Sequence, residues 1–126
     1  MIQAKLVDVI GSTEVIKKLL DSPIKGRTAY KIAKLIKRLD EELALFNESR
    51  GKLLNKYAVK DENGQPIIEN NGFKIALEHV EEFNRESAEL LNTSITIDSE
   101  PIVLEEIENV EFTPNEMLAI EPFIKE

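Results

Sequence analysis

Between Gly26 and Tyr57 the apolar residues recur every three or four positions, and this stripe is the strongest pattern in the chain. Its steps alternate between four and three residues, which is typical of one face of a long helix or of a coiled-coil seam. No proline interrupts the segment, so the pattern predicts one continuous helix of about 30 residues and about 45 Å. The stripe comprises Ile32, Ile36, Leu39, Leu43, Phe46, Leu53 and Tyr57, with Arg50 as its one polar interruption.

A second stripe with the same alternating spacing predicts a shorter helix over residues 75–92. Between the two helices, Asp61-Glu62-Asn63-Gly64 and Asn70-Asn71-Gly72 are turn sequences, and short strands are expected near residues 66–68 and 73–75. Two helices joined by a compact insert pack along their apolar stripes. We therefore expect a long antiparallel helical hairpin with a small β-meander at its tip.

The two ends of the chain predict a short sheet and two more helices. Alternating apolar residues over 2–6 indicate a strand, and residues 94–104 have the β character of its partner. Gly11-Ser12-Thr13-Glu14 is a helix-start sequence, and that helix should stop before Pro23. Thr113-Pro114-Asn115-Glu116 is a capping box, and Pro122 should end its helix. The expected fold class is α+β, mainly α.

Length and composition limit the number of domains, the possible site chemistry and the cellular location. A chain of 126 residues with 42% hydrophobic residues suits one domain over residues 1–126. It has no Cys, which excludes a disulfide, a thiolate metal site and a cysteine nucleophile. We find neither an apolar run of about 20 residues nor a signal-peptide pattern at the start. We expect no contact with a membrane and a cytoplasmic location.

Charge is divided unevenly along the chain. Residues 25–60 carry a net charge of +6 and residues 61–126 a net charge of −14, within a total of −8. One helical stripe, spaced by four, three and four residues, consists of Arg27, Lys31, Lys34 and Arg38. Such a stripe can contact phosphates or match acidic segments of the chain, around Glu78 to Glu89 or Glu100 to Glu111. We favour ion pairing with these acidic segments and do not expect nucleic acid as a partner. The chain is acidic overall, and Tyr30 is the only aromatic residue among the basic residues from Lys25 to Arg38.

No residue pattern predicts catalysis. His79 is the only His, and a metal site would need three or four convergent ligands; a solvated His on an acidic helix is the simpler interpretation. Glu105 and Glu106 belong to a run that is typical of a solvated face, and the turn at Asp61 lacks the first ligand of a calcium loop. We expect no enzyme activity, no cofactor and no bound metal.

Several segments together suggest a family. They are residues 6–9, 29–36 and 61–64, the positions Phe46, Arg50, Leu53 and Tyr57, and residues 80–84, 90–91 and 120–124. With these, the chain resembles a family of small uncharacterised proteins encoded by tailed phages and prophages of Gram-positive bacteria. The resemblance implies a viral setting, where structural, assembly and host-interference proteins are common, and it implies no activity for any residue.

These patterns lead to a functional hypothesis. The long stripe exceeds what the shorter helix can cover, so we expect a non-enzymatic protein–protein interaction or assembly protein that acts through its helical hairpin and associates with itself. Another phage or host protein is a further expected partner. The alternative is an acidic inhibitor of a host defence or nucleic-acid-binding protein, since exposed carboxylates can compete for a basic groove.

Overall fold

The computed structural model describes residues 1–69 and 72–125, which form a mainly helical α+β structure. The α-helices are α1 Leu6–Lys18, α2 Gly26–Tyr57, α3 Val80–Leu91 and α4 Pro114–Ile120. The strands are β1 Ile2–Lys5, β2 Ile68–Glu69, β3 Gly72–Phe73, β4 Ser94–Ile97, β5 Ile102–Val103 and β6 Ile124–Lys125. Single 3-10 turns occupy Leu19–Asp21, Leu77–His79, Leu104–Ile107 and Glu121–Phe123. Within the described ranges, no helix is long and apolar enough to cross a bilayer.

The long helix is confirmed. α2 runs without a break for 32 residues, about 48 Å at ~1.5 Å per residue. Lys25 before it is extended, and Ala58 after it returns to extended backbone while its N–H donates to the carbonyl of Leu54.

The hydrophobic core covers only the first part of α2. Its fully buried members from this helix extend from Ile32 to Leu39, and Leu43 packs against the cluster with partial exposure. The remaining buried members come from β1, α1, the 3-10 turn after α1 and the C-terminal third of the chain: Ile2, Ala4, Val9, Ile16, Leu19, Ile97, Ile102, Ile107, Ile120 and Phe123. We call residues 1–43 and 94–125 the body, and residues 44–69 and 72–93 the arm.

The N-terminal strand pairs as its alternation predicts. β1 and β4 are antiparallel, with Ile2 opposite Ile97 and Lys5 opposite Ser94. Ile2 and Ala4 point into the core while Gln3 and Lys5 are exposed. The expectation for the second half of residues 94–104 is wrong: β5 pairs in parallel with the C-terminal β6, with Ile102 opposite Ile124.

The predicted start of the first helix is also wrong. α1 begins at Leu6, so Gly11, Ser12 and Thr13 lie inside it. The hydroxyls of Ser12 and Thr13 do not cap a helix end. Both side chains are buried, and both hydroxyls donate to the carbonyl oxygen of Val9, at 3.3 and 2.6 Å. Hydroxyls that bond back one turn are compatible with a helix interior. The start is instead stabilised by Asp8, whose carboxylate accepts from the backbone N–H of Lys5 at 3.0 Å.

The insert between α2 and α3 is small. β2 and β3 are antiparallel, and isolated bridges join Ala58 to Ile75 and Lys60 to Pro66. The Asn-Gly turn has Gly64 at φ 78°, a left-handed conformation that favours glycine. Asn70 and Asn71 of the second predicted turn lie outside the described residues.

The second predicted helix starts later than expected. Residues 75 and 76 are extended, and a 3-10 turn at Leu77–His79 precedes α3. Ile75 cannot begin the helix because it bridges to Ala58 at the end of α2.

The last helix has the predicted capping box. Thr113 Oγ1 accepts from the N–H of Glu116 at 3.1 Å, and the Glu116 carboxylate accepts from the N–H of Thr113 at 3.0 Å. The Lys18 ammonium ties this start to α1, since it donates to the carbonyl of Glu111 at 2.8 Å and lies 3.3 Å from Glu116. The helix ends at Ile120, and Pro122 belongs to the following 3-10 turn.

The difference in burial along α2 predicts unequal costs for the same substitution. Leu39→Ala, at a fully buried site, should lower the free energy of unfolding by about 2–5 kcal/mol. Leu45→Ala, on the same helix where the side chain is 58% exposed, should change the free energy of unfolding by less than about 1 kcal/mol at protein concentrations where the chain is monomeric. Urea unfolding followed by circular dichroism measures both. Equal costs would contradict the assigned boundary of the core.

The capping box predicts a pH dependence. The backbone N–H of Thr113, assisted by Lys18, lowers the pKa of Glu116 below its ordinary value. A lowered folded-state pKa stabilises the fold above the unfolded-state pKa, and this stabilisation is lost as the pH falls through the folded-state value. Glu116→Gln should therefore reduce stability at neutral pH and match the wild type in strong acid. Thermal unfolding measured from neutral pH to strong acid checks this. The difference in stability between Glu116→Gln and the wild type should disappear in acid, whereas the control, Glu121→Gln at an exposed site, should equal the wild type throughout.

Candidate interaction surface

The arm is held by a small aromatic cluster at the far end of α2. The ring of Tyr57 lies 6.3 Å from that of Phe83 in an edge-on arrangement and 5.6 Å from that of His79. Tyr57 is buried, and Ala58 beside it is nearly so. This cluster joins the end of α2 to the start of α3.

An ion pair reinforces the contact between the two helices. Lys56 Nζ lies 3.3 Å from Glu86 Oε1. Hydrogen bonding to Tyr57, together with the Glu86 carboxylate, raises the pKa of Lys56 above its ordinary value. Because both groups are near the surface, the pair contributes little stability. The arm therefore depends on apolar contact between its helices.

The predicted interface stripe is divided by the boundary between body and arm. Ile32, Ile36 and Leu39 are buried in the core, and Leu43 is partly covered by it. In the arm, Phe46 and Leu53 are half-buried and outside the core cluster, whereas Tyr57 is buried in the aromatic cluster. Phe46 and Leu53 are thus the stripe residues that remain accessible.

The covering helix buries none of its side chains fully. α3 presents Val80, Phe83 and Leu90 as half-buried residues, and the core cluster includes none of them. Further apolar side chains of the arm are exposed to solvent: Leu45 at 58%, Ile68 at 68% and Leu77 at 93%. The arm consequently carries apolar surface along α2 and around the start of α3.

The opposite face of α3 is acidic. Glu81, Glu82 and Glu89 are exposed, with Arg85 among them, and Glu78 precedes the helix. Only one carboxylate of this helix, that of Glu86, forms an ion pair with a lysine of the chain among the described residues. We call Glu81, Glu82 and Glu89 the acidic face.

The four residues of the predicted basic stripe do come together. Arg27, Lys31, Lys34 and Arg38 line one open cleft on the body. Sequence reasoning missed its other wall, formed by Met1, Asp98, Ser99 and Glu100. A signal for that wall existed, because pairing residue 2 with residue 97 places residue 98 beside Met1.

The basic stripe forms few of the predicted ion pairs with the acidic segments of the same chain. Lys31 Nζ lies 3.5 Å from Glu100 Oε2, which is the one pair between the stripe and residues 100–111. Arg38 pairs instead with Glu41 of its own helix at 3.3 Å. Among the described residues, no carboxylate of α3 pairs with the stripe.

His79 is partly exposed to solvent, with 43% of its side chain accessible. Its ring packs on Tyr57, its Nδ1 is buried without a hydrogen-bond partner, and its Nε2 lies 3.8 Å from the carboxylate of Glu78. In the described part of the chain, no three metal-ligating side chains converge. The position of the ring assigns His79 to the aromatic cluster of the arm.

No family model, curated protein or solved structure matches the chain.

The burial pattern predicts that the arm opens before the body. In dilute solution, backbone amides of α3 should exchange with deuterium faster than those of residues 32–39, because α3 has no fully buried side chain and local opening follows local packing. Mass spectrometry of peptic fragments measures this difference. Equal protection of both segments would show that the arm is as firmly packed as the core.

Proposed function

We propose that this chain is a non-enzymatic protein–protein interaction or assembly protein of a tailed phage or prophage, and that it acts through the arm. The observation that carries the proposal is the uneven burial of α2. Its first half is built into the core, and its second half keeps Phe46 and Leu53 only half-covered.

The arm is proposed to form an antiparallel helical hairpin with the β insert at its tip. Contacts support this arrangement at both ends of α3. Its start meets the end of α2 through Tyr57 and Phe83, and just beyond its end Thr93 accepts from the N–H of Leu6 in the body. In the proposed hairpin, α3 leads from the end of α2 back to the body, with its apolar side chains along α2.

A second copy of the chain is the partner we propose. Apolar side chains that remain accessible on the arm favour association, because burying them removes them from water. Every copy carries the same arm, and two copies related by a two-fold axis can cover each other's arm. Leu45 and Leu77, which are strongly exposed on the arm, would then be shielded from solvent.

The phage setting is proposed from the sequence resemblance described above. The segments that carry it include Phe46 and Leu53, the two apolar stripe residues of the arm that remain partly accessible. In such a setting the protein would act in the host cytoplasm or in association with the virion, with another phage or host protein as a further partner.

Sedimentation velocity over a range of concentrations tests the proposal. We expect the wild type to show a reversible monomer–dimer equilibrium. Burying one leucine contributes about 1.5–3 kcal/mol, so the double variant Leu45→Lys/Leu77→Lys should raise the dimer Kd at least about tenfold.

The matched control is Leu20→Lys, which introduces a lysine at a leucine on the body that is 48% exposed. It should leave the dimer Kd unchanged. A wild type that remains monomeric at the highest concentration, or equal weakening by Leu20→Lys, would contradict self-association through the arm.

The acidic face favours a second candidate function, inhibition of a host defence or nucleic-acid-binding protein. Glu81, Glu82 and Glu89 are exposed on one helix, where they could compete for a basic groove. Such binding would weaken steeply with salt. Capture of basic proteins from host lysate at low and high salt tests this, with Glu82→Lys/Glu89→Lys as the negative control. Capture that is unaffected by salt or by this variant would refute it.

A further inference from the structure

The basic cleft on the body is not used by the proposed arm contact. Arg27, Lys31, Lys34 and Arg38 approach it from one face of α2, and the turn after β4 forms the other side. The cleft therefore combines a row of cations on a rigid helix with a short loop.

The cations of this row are only partly neutralised within the chain. Lys31 pairs with Glu100 and Arg38 with Glu41. Among the described residues, Arg27 and Lys34 have no ion pair, and the Lys34 ammonium lies 5.6 Å from the centre of the Tyr30 ring. Two positive charges on one helix face thus remain available to a carboxylate.

Two large apolar side chains border these cations. Tyr30 is 68% exposed and Met1 is 82% exposed, and both line the cleft. Tyr and Arg are enriched among residues that dominate protein–protein binding energy, and Tyr and Met are enriched at interfaces. The opposite wall carries the carboxylates of Asp98 and Glu100, which favour a surface of mixed charge over a uniformly negative phosphate backbone. The combination favours a protein partner over nucleic acid.

The chain itself carries a complementary surface. The acidic face of α3 holds three exposed carboxylates between Glu81 and Glu89, with the exposed Arg85 among them, over about 12 Å along a helix. The basic stripe extends from Arg27 to Arg38, about 16 Å along α2 by the same rise. The shorter acidic row therefore fits within the basic one when two helices lie side by side.

We propose that the basic stripe of one copy receives the acidic face of α3 from a second copy. This inference rests on the proposed self-association and specifies which surfaces meet. A two-fold axis makes the contact reciprocal, because the basic stripe of each copy then meets the acidic face of the other. The dimer closes on itself instead of growing into a filament.

A charge exchange tests this pairing. One variant, Arg27→Glu/Lys34→Glu, reverses the two stripe cations without an ion pair; the other, Glu82→Lys/Glu89→Lys, reverses the acidic face. Like charges across an interface are strongly unfavourable, so each variant alone should raise the dimer Kd at least about tenfold. An equal mixture should form a heterodimer of near wild-type affinity, since both contacts then pair opposite charges.

The matched control is Lys25→Glu/Lys37→Glu, which makes the same charge change beside and on α2 but off the stripe. Circular dichroism verifies that each variant is folded, and sedimentation velocity with one fluorescently labelled partner measures association. The control should have near wild-type affinity. Wild-type association should also weaken between about 50 and about 500 mM NaCl, because salt screens exposed charge pairs.

The outcomes separate this inference from the proposed function. A wild type that dimerises while the stripe variant behaves like its control, or a mixture that fails to restore association, would overturn the charge pairing and leave self-association intact. A wild type that stays monomeric would overturn both. Binding of labelled duplex DNA that is lost in Arg27→Glu/Lys34→Glu, without an effect on dimerisation, would assign the cleft to nucleic acid.

Discussion

The architecture depends on the stiffness of one helix. α2 continues for 32 residues without a proline, and a regular helix cannot fold back to bury both of its halves in one core. The core therefore closes over the face from Ile32 to Leu39 and ends near Leu43. Beyond that point α2 lies outside the core, and its end contacts the start of α3 through the rings of Tyr57, Phe83 and His79. The division into body and arm follows from this single geometric constraint, and so does the apolar surface on which the proposed function depends.

Charge acts on the same framework. The helix that forms the core also carries the cations of the basic stripe on its outer side, while the acids of the arm lie on the exposed side of α3. Ion pairs within the chain use part of this charge, at Lys31 with Glu100 and Lys56 with Glu86. The stripe cations without an ion pair, Arg27 and Lys34, lie on the body, and the acidic face lies on the arm. These opposite charges therefore lie on different surfaces of one molecule. A contact between two copies can bring them together, which is why the apolar and charged surfaces support the same proposal.

Local patterns predicted the elements whose causes are local. The stripe on α2 and the capping box at Thr113 and Glu116 depend on residues within a few positions of each other. The start of α1 was missed because Ser12 and Thr13 have the composition of a cap but turn their hydroxyls to Val9 inside the helix. The parallel pairing of Ile102 with Ile124 was missed because it depends on how α4 packs and therefore on where the C-terminal strand lies. The basic stripe was predictable from spacing, whereas its facing wall at Asp98 and Glu100 required the strand register.

The distance between one spin label in each half of α2 measures directly whether this helix is straight. The chain has no Cys, so Lys37→Cys and Asn55→Cys would be labelled selectively at two exposed sites. Eighteen residues complete five turns, which places both labels on one side and separates their Cα atoms by about 27 Å. With the labelled chain diluted in excess unlabelled wild type, so that a dimer adds no distances between copies, pulsed electron paramagnetic resonance should give one narrow distribution near that distance. A broad or clearly shorter distribution would show that the helix bends between body and arm, and would contradict a stiff, continuous α2.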